Sequence, residues 1–529
     1  MLDLLLPFAL SGKTLLAGAL ALTGYIFYRL LVPPKINDGG VPYIPAYKTL
    51  FWTFKPDPSR IDLCNQVDVP ALRETGIVRS WLWGRWMYKI NDAEYARQLF
   101  LKPTVFQKIE MQTSLPYTFR VYAAGANIMS ENGDHFKAHR SVVMPAFRRA
   151  WPVSHFRTHM RKLESLVRKQ QQGVDILNIG RRVALDILGH IIMGVDFGAL
   201  DYTKGELLEM CWDVVEAGVE PLYLLFPFLD KCPMGKRARS FASVARFHQF
   251  IDDAIETKRL ELQTRDQLNN DERDKADLLT LMIEAYEQTK KHGAYDENGK
   301  LLPSMNSEEL RNNAVVFFIA GHDGTAYSLC HLITELALNP DIQQRARERV
   351  ISMIGDAPDA FPTDEQLAEL ADLDMIIKES MRKSSSASDV RRELTEPVTL
   401  GPYTLPKGAW VHVDLWALHH NPKHYPQPDK FVPERFAWSA TKSDVEMPHE
   451  HTPFSWAPFS EGGRKCMGHK FAMIAQRILL ITFVHRFTWT LPKDSPFWIR
   501  PRTNTMGLIL PINLKVDFTP RHSDQSDSA

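Results

Sequence analysis

One ten-residue stretch near the C-terminus, Phe459-Ser-Glu-Gly-Gly-Arg464-Lys-Cys466-Met-Gly468, constrains this chain more than any other. It sets a single cysteine in a glycine-punctuated loop, two residues after an arginine and directly ahead of an amphipathic run from His469 to Leu480. Gly462 and Gly468 permit the positive-φ turns that bring backbone close to a flat group. Backbone N–H groups and the start of the following helix favour a sulfur anion. Arg464 is placed to meet a carboxylate through a charge-assisted bond. Together these features suit a thiolate bound axially to haem iron, with Arg464 on a haem propionate. A ligand of that kind favours O–O cleavage. A lone cysteine at a helix start is ordinarily a half-buried structural residue. Five fixed positions, Phe459, Gly462, Arg464, Cys466 and Gly468, weigh against that here.

Length alone suggests about three domains for 529 residues. Yet no Gly/Ser- or Pro-rich linker divides the chain after residue 50, and 44% hydrophobic with 24% charged residues is ordinary globular composition. Basic and acidic residues balance at 63 each, which removes any global electrostatic case for a nucleic-acid partner. Cys64, Cys211, Cys232, Cys330 and Cys466 are odd in number, widely spaced and without CxxC pairs. That speaks against a disulfide framework and for a reducing compartment. His419, His420, His424, His449 and His451 fall in Pro-rich stretches at no recognised ligand interval with a cysteine, which speaks against zinc.

The N-terminus differs from the rest. Leu4 to Tyr28 is mostly apolar, interrupted by Pro7 and Lys13, and the unbroken run from Thr14 to Tyr28 covers only 15 residues. A bilayer needs about 20 helical residues, so a span must borrow Leu4–Ser11 or Leu30–Val32, with Lys13 snorkelling near one end. The expectation is a membrane anchor, with a cleaved signal peptide and an in-plane amphipathic helix as the other readings. Pro33-Pro34, Pro42 and Pro45 stiffen the exit. Arg29 and Lys35 against Asp3 place the domain beyond the prolines on the cytoplasmic side.

The Cys466 segment resembles the haem-binding loop of the cytochrome P450 family, F-x-x-G-x-R-x-C-x-G, at every position. The anchor and proline hinge are similar to those of eukaryotic microsomal members, of fungal type. The resemblance implies a mainly α fold with small β-sheets. A single large helical domain over 35–529 would enclose haem b, with the anchor and hinge over 1–34 ahead of it.

Ser307 to Asn339 reads as one long helix, capped by Ser307, buried at Ala314–Ala320 and stopped by Asn339-Pro340. Ala320-Gly321-His322-Asp323-Gly324-Thr325 is similar to the family's oxygen-activating Ala/Gly-Gly-x-Asp/Glu-Thr. The hydroxyl arrives one residue late, however. One step round a helix is about 100°, so Thr325 needs a local bulge at Gly324 to reach the usual place; otherwise Gly324 makes room for a bulky substrate. Asp323 and Thr325 are the candidate catalytic pair.

Glu379 and Arg382, on a helix expected from about Asp364, and Arg435 resemble the family's buried Glu–Arg–Arg triad. For the haem propionates the resemblance implies Arg464, Arg140 (with Phe136 where tryptophan is usual) and Arg392, with Arg391 as fallback. The run Lys383-Ser-Ser-Ser-Ala-Ser-Asp389-Val departs from the apolar, proline-bearing stretch that lines family pockets, unless it is an exposed turn. Substrate contacts are expected from Phe106–Val121, Phe317, Phe318 and Thr503–Leu508.

The implied partners are NADPH-cytochrome P450 reductase, docking on Lys137, Lys465 and Lys470, with cytochrome b5 as a possible second donor, and a hydrophobic small-molecule substrate. The function expected is a haem-thiolate monooxygenase of the endoplasmic reticulum membrane, in specialised metabolism. A peroxygenase, isomerase or dehydratase needing no reductase is the alternative, and a haem sensor or carrier is the third class.

Overall fold

The computed structural model describes residues 12–522 except 56, 58, 83–84, 111–124, 149–150, 202–208, 211–212, 214–235, 264–275, 438–451 and 505–507. Much of the expected substrate-contact set (111–121 and 505–507), Leu4–Ser11, Cys211, Cys232, His449 and His451 lie outside the described residues.

In chain order the elements that frame the site are α1 (Gly12–Leu31), α2 (Ala46–Phe54), β1 (Ile77–Leu82), β2 (Arg85–Ile90), α3 (Ala93–Leu101), β3 (Phe106–Gln107), α4 (Gly133–Phe147), β4 (Val174–Asp175), α5 (Ile176–Leu188), α6 (Ser307–Leu338), α7 (Asp374–Lys383), β5 (Asp389–Leu394), β6 (Val398–Leu400), β7 (Tyr403–Leu405), β8 (Trp410–Asp414), α8 (His469–Arg486), β9 (Phe487–Thr490) and β10 (Lys515–Pro520). The architecture is mainly α with small sheets. One sheet runs β1-β2-β8-β5-β3, antiparallel except for the β2–β8 pair; a second runs β4-β10-β9, and β6 pairs with β7.

α6 is the axis of the helical part. Its start is a capping box one residue earlier than expected. Asn306 Oδ1 accepts the Glu309 N–H at 2.8 Å and Glu309 Oε2 accepts the Asn306 N–H at 2.7 Å, so Asn306, not Ser307, is the cap. Ala314, Val315, Phe318, Leu329, Cys330, Leu332, Ile333 and Leu336 then bury it on α5, α7 and α8 in one large apolar cluster. The helix leading to Glu379 is broken where the sequence suggested continuity. A turn of 3-10 helix at Leu370–Leu373 separates Asp364–Glu369 from α7. Arg477 of α8 grips Asp374 through Nε–Oδ1 (2.9 Å) and a second N–H to Oδ2 (2.8 Å), fixing where α7 begins.

α1 is 20 residues long and exposes Leu16, Leu20, Leu22, Ile26 and Phe27. Among the described residues no helix is long and apolar enough to cross a membrane.

Candidate active site

The cysteine loop is built from its backbone outward. The Cys466 N–H donates to the Phe459 carbonyl at 2.8 Å, and the Ala472 N–H to the Gly468 carbonyl at 2.8 Å carries the loop into α8. Gly462 has φ +69°, and a Cβ there would lie 2.2 Å from the Phe100 carbonyl oxygen of α3, so no other residue fits. Gly468 differs from expectation. Its φ is −77°, and an added Cβ would meet the Phe147 ring at 3.8 Å and Cys466 Sγ at 4.0 Å, ordinary contact distances. Gly468 acts through its N–H, which favours the Cys466 sulfur in its charged form. The Phe459 ring packs between Trp456 and His469, 6.3 Å from each.

Cys466 Sγ faces an internal space that is accessible yet walled by protein. Burial pushes its thiol up, while the Gly468 N–H, Lys108 and Lys465 pull it down. From the loop the wall leads to α6 in two aromatic steps. Phe147 lies beside Gly468, and its ring meets that of Phe317 edge-on at 5.1 Å.

Around this space the structure gathers cations that are buried or half-buried. Arg464 donates to the Glu131 carbonyl (2.7 Å) and to Asn132 Oδ1 (3.1 Å), and its guanidinium lies 3.3 Å from the centre of the Phe136 ring. The phenylalanine that replaces tryptophan thus holds Arg464 by a cation–π contact. Arg140 donates to the Gly463 carbonyl at 2.9 Å. Arg392 is 2% exposed and donates to the Arg391 carbonyl at 2.7 Å. Burial depresses Arg392 to about 10 with no anion offsetting it. Arg464 also falls to about 10, by burial and then by Arg392 and Arg140.

Lys108 joins them. Register carries it there, because Gln107 pairs with Glu393 and the next antiparallel step sets Lys108 beside Arg392. Burial, Arg392 and Arg464 drive its pKa well below the usual lysine value. No sequence signal marks Lys108, a lone lysine in a mixed stretch. Arg391, the fallback, faces the other side of β5 and is paired with Asp389 (2.8 Å). Among the described residues no carboxylate makes an ion pair with Arg392, Arg464 or Lys108. Buried cations of one sign without counter-ions are costly, and a dianionic haem beside a thiol is the group this donor set fits.

On the far wall, Phe317, Gly324 and Ser328, half-buried, and Ala320, exposed, share one face of α6 at spacings of 3, 4 and 4. Gly324 has nothing within 4 Å of an added Cβ. The expected bulge is not there: α6 is regular α-helix from Ser307 to Leu338. Thr325 is buried one step round, with its carbonyl taken by Gln476 Nε2 at 2.9 Å. The structure therefore does not bring the Thr325 hydroxyl to this face. Phe318 is buried against Phe197 and Phe247. Asp323 is buried on the opposite flank, 3.4 Å from Arg181 Nε of α5 and 3.3 Å from His322 Nδ1. Burial raises its pKa, but His322, Arg181 and Tyr327 outweigh burial and hold the carboxyl below its usual value.

Behind the loop, Glu379, Arg382 and Arg435 do meet. Arg382 is bidentate on Glu379 (2.7 and 2.8 Å), Arg435 Nε is 3.4 Å from Glu379 Oε1, and the Val432 N–H adds a bond of 2.9 Å. His419 is part of the same packing, accepting the Ala457 N–H at 3.0 Å.

A family model described as Cytochrome P450 matches residues 69–518 of the chain. Cytochrome P450-DIT2 of Saccharomyces cerevisiae is 26% identical over 514 residues, covering 93% of this chain and 96% of that protein. Human Cytochrome P450 3A5 is 27% identical over 366 residues, 67% of each protein. Among solved structures, the retinoic acid-bound cyanobacterial CYP120A1 shares the fold with a TM-score of 0.66 at 22% identity, over 93% of this chain and 100% of that one.

Proposed function

Because the chain belongs to the cytochrome P450 family and is a haem-thiolate monooxygenase, we propose that it inserts one oxygen atom of O2 into a hydrophobic small molecule, with electrons from NADPH delivered by a reductase. The observation that carries the site assignment is a thiol whose charge is favoured by the Gly468 N–H, beside a cluster of cations, Arg392 buried and Arg464 and Lys108 half-buried, that make no ion pair among the described residues. The haem, when bound, supplies the oxidising chemistry. The chain's own groups do the rest. The Gly468 N–H, Lys108 and Lys465 favour sulfur as thiolate, and Arg464, Arg140, Arg392 and Lys108 neutralise the propionates. Phe317 and Ala320 offer the substrate an apolar wall. Asp323, kept ionised by Arg181 and His322, holds a proton-accepting carboxylate just behind that wall.

The apolar surface of α1 and the prolines after it support a tether to the endoplasmic reticulum membrane with the catalytic domain in the cytosol. Lys470 is exposed, whereas Lys137 is paired with Asp296 (3.1 Å) and Lys465 with Glu461 (2.9 Å). Such surface pairs contribute only about 0–1 kcal/mol, so a partner's carboxylates can replace them, for a reductase or for cytochrome b5. The unusual serine run is the reason to place the enzyme in specialised metabolism.

Gly324, which brings no side-chain hydroxyl of its own to the open face, favours a second reading: oxygen transfer from a peroxide without a reductase. Product formation with NADPH and reductase, set against peroxide alone, separates the two. Turnover only with peroxide would sink the first.

A further inference from the structure

The serines after Arg382 resolve into different environments. Ser384 and Ser385 are buried, and the Ser388 hydroxyl bonds Asp389 Oδ2 at 2.9 Å. Ser386 instead reaches the open face of α6. Its Oγ donates to the Gly324 carbonyl at 3.2 Å and lies 3.0 Å from Ser328 Oγ, one helical turn further on. The segment is fixed there by the Ile509 N–H, which donates to the Ser386 carbonyl at 2.8 Å. The Ile509 carbonyl is in turn 3.2 Å from His331 Nε2 of α6.

Counting protons gives this pair a polarity. A serine hydroxyl has one proton and two acceptor lone pairs. The Ser386 proton is committed to the Gly324 carbonyl, so the proton between the two serines comes from Ser328. Both protons are then used. What the pair offers the cavity is lone pairs alone, one on Ser386 and two on Ser328. They lie beside Gly324, where nothing approaches within 4 Å of an added Cβ.

We propose that Ser328 and Ser386 form a specificity site that selects ligands able to donate a hydrogen bond, alcohols or N–H compounds, inside an otherwise apolar pocket. This rests on the cavity being the oxygenation site of the haem-loaded enzyme. A pocket built to hydrogen-bond a ligand group discriminates against analogues lacking it far better than an apolar one does.

The test is calorimetric binding to the holoenzyme of three probes with one carbon cage: adamantanol (donor and acceptor), adamantanone (acceptor only) and adamantane (neither). The alcohol is expected to bind about 3- to 10-fold tighter than the ketone, the scale of one hydrogen bond. Each serine alone keeps acceptor lone pairs, so the double variant S328A/S386A is the decisive one: it should bring the alcohol down to the ketone while leaving adamantane unchanged, which also shows that the pocket remains folded. Equal affinity for alcohol and ketone in the wild type, or a preference that survives both substitutions, overturns the proposal. A wild type lacking the red-shifted Soret band of thiolate haem would break the underlying reading instead.

Discussion

The two walls of the cavity are made in different ways. On the cysteine side, ligand, backbone donor and one propionate cation lie within ten consecutive residues, and their geometry comes from one loop. On the α6 side, the acid Asp323 and the alcohol Thr325 are both turned about one residue step away from the open face. The hydroxyls on that face come from Ser328 and from Ser386, 58 residues apart in sequence. A wall assembled from one contiguous segment tolerates little variation. A wall assembled from several segments can be rewritten one residue at a time.

The largest test of this contrast is Cys466→Ala, expected to abolish both the thiolate Soret band and oxygenation. A retained band would move the ligand elsewhere. Next comes Glu379→Gln, which strands Arg382 and Arg435 without their carboxylate. About 3–5 kcal/mol of stability should be lost, read from the urea midpoint of the holoprotein. Arg392→Gln should weaken haem retention by about 1.5–3 kcal/mol, a charged hydrogen bond, yet stabilise the haem-free protein, because an uncompensated buried charge disappears. Opposite signs in the two melts are the signature.

Acid should weaken both walls together. His331 of α6 is depressed by burial to about 4, and His419, behind the cysteine loop, by burial and then Arg382 to about 3. Both folded values lie below the unfolded one, so the unfolded chain takes up more protons across this window. The stability these neutral rings provide is full above about pH 6.5 and falls as pH drops through those values. Hydrogen exchange should therefore show both α6 and the segment packed on His419 losing protection as pH falls from about 6.5 to about 4, and protection unchanged over that window would count against both assignments. The smallest effect is expected from Gly324→Thr. With open space at its Cβ, stability should change by no more than about 1 kcal/mol, while product formed per NADPH rises. Thr325→Ala should leave that ratio unchanged, and a clear fall would return the hydroxyl role to Thr325.

Legibility in the sequence divides along the same line. The Cys466 loop, the long helix and the Glu379 pair can be read because each is local or repeats at a fixed interval. Arg392 is placed only through resemblance, since nothing in Val-Arg-Arg-Glu distinguishes it from Arg391 until strand alternation turns one inward. Lys108 and Ser386 cannot be assigned their positions from the chain, because both acquire their neighbours from strand pairing or from a loop crossing to α6. Helix starts differ from expectation by one residue at Asn306 and by more than a full turn before Asp374. There a side-chain cap and an arginine clamp, rather than hydrophobic period, decide the boundary.

The approach of Gly462 to the Phe100 carbonyl also bears on how the protein is made. The cysteine loop closes against a helix from the first fifth of the chain, and Arg464 and Arg140 tie it to partners 333 and 323 residues away. Contacts of such high sequence separation form late, because loop-closure entropy must be met before they contribute. On the ribosome the cofactor pocket has no complete wall until nearly the whole chain has emerged. A complete haem site therefore forms only after the loop and its distant partners have all been made.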